Sequence, residues 1–269
     1  MVVGIMIQTE EFETVLWTRR GPVAEIRLNR PHRLNAVVEQ LYKDVLSALD
    51  AAEADPDARV VTLTGEGRAF CVGADLKEHG KGERTAYDRR RYLELGNDVC
   101  QRIYEFPKPV IAAVNGYAAG AGAEMSISSD FIVMKASAQL WLPEISIGTH
   151  VGGGVTEILP RIVGLAKARE LILTGTRIDG TEAHAIGLAT RVFDDDSFDD
   201  GVREFAALIG SKAPISMRHA KENLNAAQRD YKSRLTTELN ALLECMLTED
   251  WQEGVDAFAE KRDPVFKGR

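Results

Sequence analysis

The sequence predicts an α/β protein with mainly parallel strand pairing, and three observations carry that expectation. Apolar runs suited to buried strands alternate with segments of helical period as far as Val192. A Gly21-Pro22 turn signal separates two strand-like segments near the start. Beyond Val192 an acidic break, "FDDDSFDD", gives way to a purely helical pattern.

The elements follow in order. "ETVLWTRR" and "VAEIRLNR" flank the Gly21-Pro22 turn as two short strands. Val38, Leu41, Val45 and Leu49 recur at helical spacing. "RVVTLTG" reads as a buried strand, "YDRRRYLELGNDVCQRIYEF" as a helix, and "KPVIAAVNG" and "DFIVMKAS" as further strands. Between the last two, a small-residue segment begins a helix over about Ala121 to Ser128. In the tail, apolar stripes run through Val202, Phe205, Ala206 and Ile209, then Leu235, Leu239, Leu242 and Met246, then Trp251, Val255 and Phe258. The organisation expected is a core over residues 1–196 and a helical packing or oligomerisation region over 197–269.

Composition narrows the function. With 269 residues, 45% hydrophobic and 28% charged, the chain buries a sizeable core without repeats or low-complexity tracts. The net charge of −8 argues against nucleic-acid binding, which needs basic surface against phosphate. The N-terminal apolar run lacks a preceding basic region, and no stretch is long and apolar enough for a membrane span, so a soluble protein is expected. Cys71, Cys100 and Cys245 are odd in number and widely spaced, which fits a reducing, cytoplasmic setting.

Familiar motifs are missing. "GEGRAF" and "GAGAEM" each lack the third glycine of a dinucleotide fingerprint, and GxxxxGK[ST], HExxH and GxSxG do not occur. His32, His79, His150, His184 and His219 show no ligand spacing, so no metal or redox cofactor is expected. What remains is "NGYAAGAGAEMSISSD", where Glu124 sits among small and apolar residues. "GRAFCVGADLKE" and "AAGAGAE" both present backbone N–H groups beside small side chains, which suits an oxyanion hole. "LWLPEISIGTHVGGG" adds Glu144 in apolar company. Two carboxylates in one apolar site are driven apart in pKa, one serving as base and one as acid.

"LNRPHRLNA" (28–36), "GRAFCVGADLKE" (67–78), "NGYAAGAGAE" (115–124), "PEISIGT" (143–149) and "EGVDAFAEKRDPVFKG" (253–268), in that order, resemble the crotonase (enoyl-CoA hydratase/isomerase) superfamily over almost the whole chain. The resemblance implies a spiral of ββα repeats, a C-terminal helical trimerisation region, and a homotrimer or a hexamer of two trimers. It implies an acyl-CoA substrate whose thioester oxygen accepts from the backbone N–H groups of Ala74 and Ala121, with Glu124 and Glu144 as catalytic acids and bases; coenzyme A belongs to the substrate and no separate cofactor is needed. It places coenzyme A along His32, Arg33, Leu34, Val72, Gly73, Asp75 and Lys77, with Phe258 and Lys261 reaching the adenosine end from a neighbouring subunit. The chain departs from the family in having Ala at 121, where Gly is common, and in "THVGGG", where His150 and Val151 replace an apolar-proline pair bordering the acyl pocket, beside Trp141. Hydration of a 2-enoyl-CoA is the activity implied; thioester hydrolysis and double-bond isomerisation are the enzymatic alternatives, and an oligomeric scaffold or RNA-binding member of the fold the non-catalytic one.

Overall fold

The computed structural model describes residues 7–79, 84–226, 231–262 and 264. The strands are β1 (Ile7–Glu11), β2 (Val15–Arg20), β3 (Val23–Leu28), β4 (Val60–Gly65), β5 (Ala69–Cys71), β6 (Val110–Val114), β7 (Tyr117–Ala119), β8 (Phe131–Lys135), β9 (Gln139–Trp141), β10 (Ile178–Asp179) and β11 (Arg191–Phe193). The helices are α1 (Glu39–Ala54), α2 (Leu76–His79), α3 (Ala86–Tyr104), α4 (Ala121–Ile127), α5 (Val155–Val163), α6 (Leu165–Thr174), α7 (Gly180–Ala185), α8 (Phe198–Gly210), α9 (Pro214–Ala226), α10 (Tyr231–Met246) and α11 (Glu249–Glu260), with 3-10 turns at Pro31–Arg33 and Glu144–Ile147.

Two sheets explain this order. The larger runs β1-β2-β3-β4-β6-β8-β11 and the smaller β10-β9-β7-β5. From β3 onward the large sheet is parallel, as are β5, β7 and β9. Each of β4–β5, β6–β7 and β8–β9 therefore lays one strand in each sheet before a helix carries the chain back, which is a spiral of ββα turns. β4 and β6 are buried along their whole length, so they lack the apolar–polar alternation of a half-exposed strand, and the buried Thr64 hydroxyl of β4 donates to Ala113 O at 2.9 Å.

Asparagines fasten successive corners of the spiral. Asn35 Nδ2 donates to the carbonyls of Glu66 (3.0 Å) and Ala69 (2.8 Å), and Asn115 Nδ2 to those of Gly65 (2.9 Å) and Gly67 (2.8 Å). Asn35 is fully buried and holds a positive φ of 56°, directly after Leu34 at 53°. Paired left-handed residues other than glycine are costly, and the bonds of Asn35 hold that loop in place.

The tail is joined to the core by packing as well as by sequence. Phe198, Phe205 and Ala206 of α8 cluster with Val60, Ile111 and Val133 under the large sheet. Tyr231 and Leu235 of α10 belong to the main core with Phe70, Cys100 and Val151. Phe258 is the exception to the expected stripe on α11: Trp251 is buried, whereas Phe258 is 60% exposed. Part of the 253–268 motif, residues 263 and 265–268, lies outside the described residues. Among the described residues no helix is long and apolar enough to cross a membrane.

Candidate active site

The start of α4 is built by a backbone crossing. Gly120, at φ 52°, ends β7 and precedes α4 without a side-chain cap, and the first helical bond runs from Glu124 N–H to Gly120 O at 2.9 Å. The N–H groups of residues 121–123 precede that bond and have no intrahelical acceptor. Gly73, at φ 83°, lies against this corner: a Cβ there would meet Ala119 O at 3.0 Å and Gly120 Cα at 3.5 Å. Ala74 follows in a parallel bridge with Val37, in which Val37 N–H donates to Gly73 O (2.7 Å) and Asp75 N–H to Val37 O (2.9 Å). The bridge uses the groups on either side of Ala74, not its own N–H. Ala74 and Ala121 thus each follow a glycine of one touching pair, which puts the two expected donors on adjoining backbones.

The carboxylates bracket this corner. Glu144 opens the 3-10 turn after Pro143, is 6% exposed, and its Oε1 stands 3.0 Å from where a Cβ of Gly120 would be. Its Oε2 is buried without a hydrogen-bond partner among the described residues, as is the hydroxyl of neighbouring Thr149. Glu124, one turn into α4, is half-buried, and its Oε1 accepts from Gly152 N–H at 2.7 Å. Four residues of helix, a rise of about 6 Å, separate Glu124 from Gly120, against which Glu144 lies.

Their electrostatics diverge. Burial pushes Glu124 up to about 7, and the Gly152 N–H bond pulls the other way. Glu144 is held well above the ordinary carboxylate range by burial and by the neighbouring Glu124 charge. The two carboxyls therefore lose their protons in separate steps, and the proton shared by the pair is held the more firmly at Glu144.

Apolar and hydroxyl groups surround the pair. Tyr42 of α1 and Tyr92 of α3 are buried with ring centroids 5.5 Å apart, and burial raises both hydroxyls, with a smaller contribution from the Glu124 charge. Cys71 at the end of β5 is likewise pushed up by burial, to about 12. Val37, Val38 and Tyr92 line a cavity of about 330 Å³ between α1 and the start of α3, bordered by Lys43, Glu78 and Arg84.

The remaining expected residues divide. His32 is exposed, Arg33, Leu34 and Val72 are half-buried, and Gly73 is buried at the crossing. Lys77 is exposed on α2. Asp75 is 4% exposed and its carboxylate meets Arg30 at 3.4 Å, so it braces the loop rather than facing solvent. His150 is tied to its own loop through Nδ1 and Val151 O at 2.7 Å, and Val151 is fully buried in the main core. Trp141 packs between Arg177, 4.2 Å from its ring, and the edge of Tyr117, while its neighbour Leu140 turns into the core. Phe258 and Lys261 project from the end of α11 toward solvent, so this chain alone does not gather them with Glu124 and Glu144.

Gly152 is the residue that sequence reasoning missed, since it contributes only a backbone N–H. The run of three glycines after Val151 was its one sequence signal.

A spiral of ββα turns across two largely parallel sheets is the crotonase fold. Residues 18–269 match the family model described as enoyl-CoA hydratase/isomerase, and the chain belongs to that family. It is 36% identical over 262 residues to the short-chain-enoyl-CoA hydratase of Clostridium acetobutylicum, covering 96% of this chain and 100% of that protein. It is 35% identical over 255 residues to the 2,3-dehydroadipyl-CoA hydratase of Escherichia coli, covering 94% of this chain and 98% of that one. Among solved structures, an enoyl-CoA hydratase/isomerase from Xanthobacter autotrophicus Py2 superposes with a TM-score of 0.85 at 30% identity, covering 96% of this chain and 100% of the other.

Proposed function

We propose that the protein adds water across the double bond of a 2-enoyl-CoA thioester to give a 3-hydroxyacyl-CoA. The observation that carries this reading is the Glu124–Glu144 pair, whose two carboxyls are pushed to different pKa values beside the Gly73–Gly120 crossing. In this reading the thioester oxygen accepts from Ala74 and Ala121 N–H, each worth about 3–4 kcal/mol as charge develops on that oxygen. Ionised Glu124 takes a proton from water as the water oxygen bonds to the β-carbon. The electron pair of the double bond moves toward the thioester as an enolate, and Glu144 protonates the α-carbon. Proton exchange within the pair then resets Glu124 as base and Glu144 as acid. Two acids at the site favour hydration over an isomerisation that needs only one.

Coenzyme A would run from His32, Arg33 and Leu34 past Val72, Gly73, Asp75 and Lys77, with Trp141, His150 and Val151 shaping the acyl side. The 60% exposure of Phe258 supports a role for it and Lys261 at a neighbouring copy's site, in a cytoplasmic trimer or dimer of trimers. The test follows crotonyl-CoA by the absorbance of its conjugated thioester, with a thiol reagent present. Absorbance loss without thiol is expected; thiol release, or no change in either signal, overturns hydration of this substrate class.

A further inference from the structure

The Glu124 carboxylate is met by a glycine loop whose next residue is held from two other helices. Gly152 N–H donates to Glu124 Oε1 at 2.7 Å, and the next residue, Gly153, has φ 63°. No side chain fits at Gly153, because a Cβ would stand 2.9 Å from both Cys100 Sγ and Glu124 Cβ. Gly153 N–H meets Asn97 Oδ1 on α3 at 3.4 Å. Asn97 Nδ2 in turn donates to Leu235 O on α10 at 3.2 Å, and Tyr231 of α10 donates its hydroxyl to Gly153 O at 3.2 Å. Ser128 Oγ, which donates to Glu124 O at 2.8 Å, reaches the same Gly153 oxygen at 3.4 Å. Asn97 is 8% exposed and Tyr231 5%.

A buried Asn in the middle of a helix is a poor helix former with no value for apolar packing. Here both ends of its amide are used, one on the glycine loop and one on α10. We propose that Asn97 and Tyr231 are positioning residues that clamp Gly153 through its N–H and its C=O, so that the N–H of the preceding Gly152 stays aimed at the Glu124 carboxylate. The C-terminal helix thereby reaches the chemistry through a backbone amide without touching substrate. This inference rests on the role given to Glu124 above.

The test must separate positioning from folding. Asn97→Asp keeps an acceptor for Gly153 N–H and loses the donor to Leu235 O; Asn97→Leu keeps neither; Tyr231→Phe releases Gly153 O. The Gly152 bond lowers the pKa of Glu124, so loosening it raises that pKa and moves the acid limb of the rate profile to higher pH. The other groups around Glu124 that enter the profile are Glu144 on the 3-10 turn, Tyr42 on α1, Cys71 on β5, Tyr92 and Cys100 on α3, and Tyr231 on α10.

For Asn97→Leu and Tyr231→Phe, kcat on crotonyl-CoA is expected to fall about ten-fold or more, with KM within about two-fold and the acid limb displaced upward. Asn97→Asp, which keeps the acceptor, is expected to recover part of kcat. Carbon-13 NMR titration of the Glu124 carboxylate, identified by its absence in Glu124→Gln, reads the same displacement without turnover. An unchanged Glu124 midpoint in folded Asn97→Leu overturns the clamp. If the wild-type protein does not hydrate crotonyl-CoA yet the midpoint moves, the clamp stands and the hydratase reading falls.

Discussion

Gly254 of α11 lies against Ile147 so closely that a Cβ on the glycine would stand 2.3 Å from the Ile147 carbonyl oxygen. Ile147 closes the 3-10 turn that begins at Glu144. The last helix thus rests directly on the backbone that carries one carboxylate, while α10 rests on the glycine loop that meets the other.

Gly254→Ala forces one of these backbones to move, because both sides of the contact are main chain. The cost expected is about 1–3 kcal/mol of overpacking, seen as a lower Tm. Activity is expected to fall further than stability does, since the displaced turn holds Glu144 beside Gly120. Exposed Gln252, two residues earlier on α11, supplies the control: Gln252→Ala should leave kcat and KM unchanged. A Gly254→Ala protein with full activity would show that α11 can shift without disturbing Glu144.

The pair of carboxylates also sets a pH dependence of stability. Glu124 is raised from 4.5 to about 7 in the folded chain, and Glu144 is raised in the same direction. For a group raised on folding, stability is full below the unfolded value and is lost as pH rises through the folded one. Between pH 4.5 and 7 wild-type stability should therefore decline as Glu124 ionises. Glu124→Gln removes that ionisation and eases the one at Glu144. The variant is expected to match the wild type near pH 4 and to unfold at higher denaturant concentration near pH 8, while turnover collapses. Parallel denaturation curves at the two pH values decide it; a wild type that gains stability across this interval would contradict the raised ionisation of Glu124.

Much of this was legible in the sequence. The turn at Gly21-Pro22, the period of α1 and α3 and the apolar runs of β4, β6 and β8 all lie where they were expected, because each is long enough to show its periodicity. The small sheet was not, since β5, β7 and β9 are three residues each and a strand of that length shows no alternation. Glu124 and Glu144 stood out as acids in apolar company. Gly152 and Asn97 did not, because what matters in them is a backbone N–H and an amide bridging residues far apart in the chain. Phe258 fits the helical stripe by spacing yet points outward, which spacing alone cannot reveal.

Where the tail meets the core there is also an ion pair, and it sets how firmly α9 is attached. Lys221 Nζ is 2.7 Å from Asp130 Oδ2 and also meets the carbonyls of Ile103 (3.3 Å) and Lys108 (3.4 Å). The same Asp130 oxygen accepts from Val110 N–H at 2.7 Å, at the start of β6. Burial raises Asp130 and lowers Lys221, so each is a costly charge whose partner offsets the cost. Removing one partner leaves the other unpaired, and Lys221→Ala is expected to destabilise by about 3–5 kcal/mol. Removing both is gentler: Lys221→Met with Asp130→Asn should recover most of that loss, because no buried charge remains. The four chemical-denaturation midpoints of the wild type, Lys221→Met, Asp130→Asn and the double variant give the coupling directly. Additive losses would mean that the pair is solvated in solution; strong coupling would mark this ion pair as one of the contacts, beside the Asn225–Tyr104 bond, that hold α9 to the core.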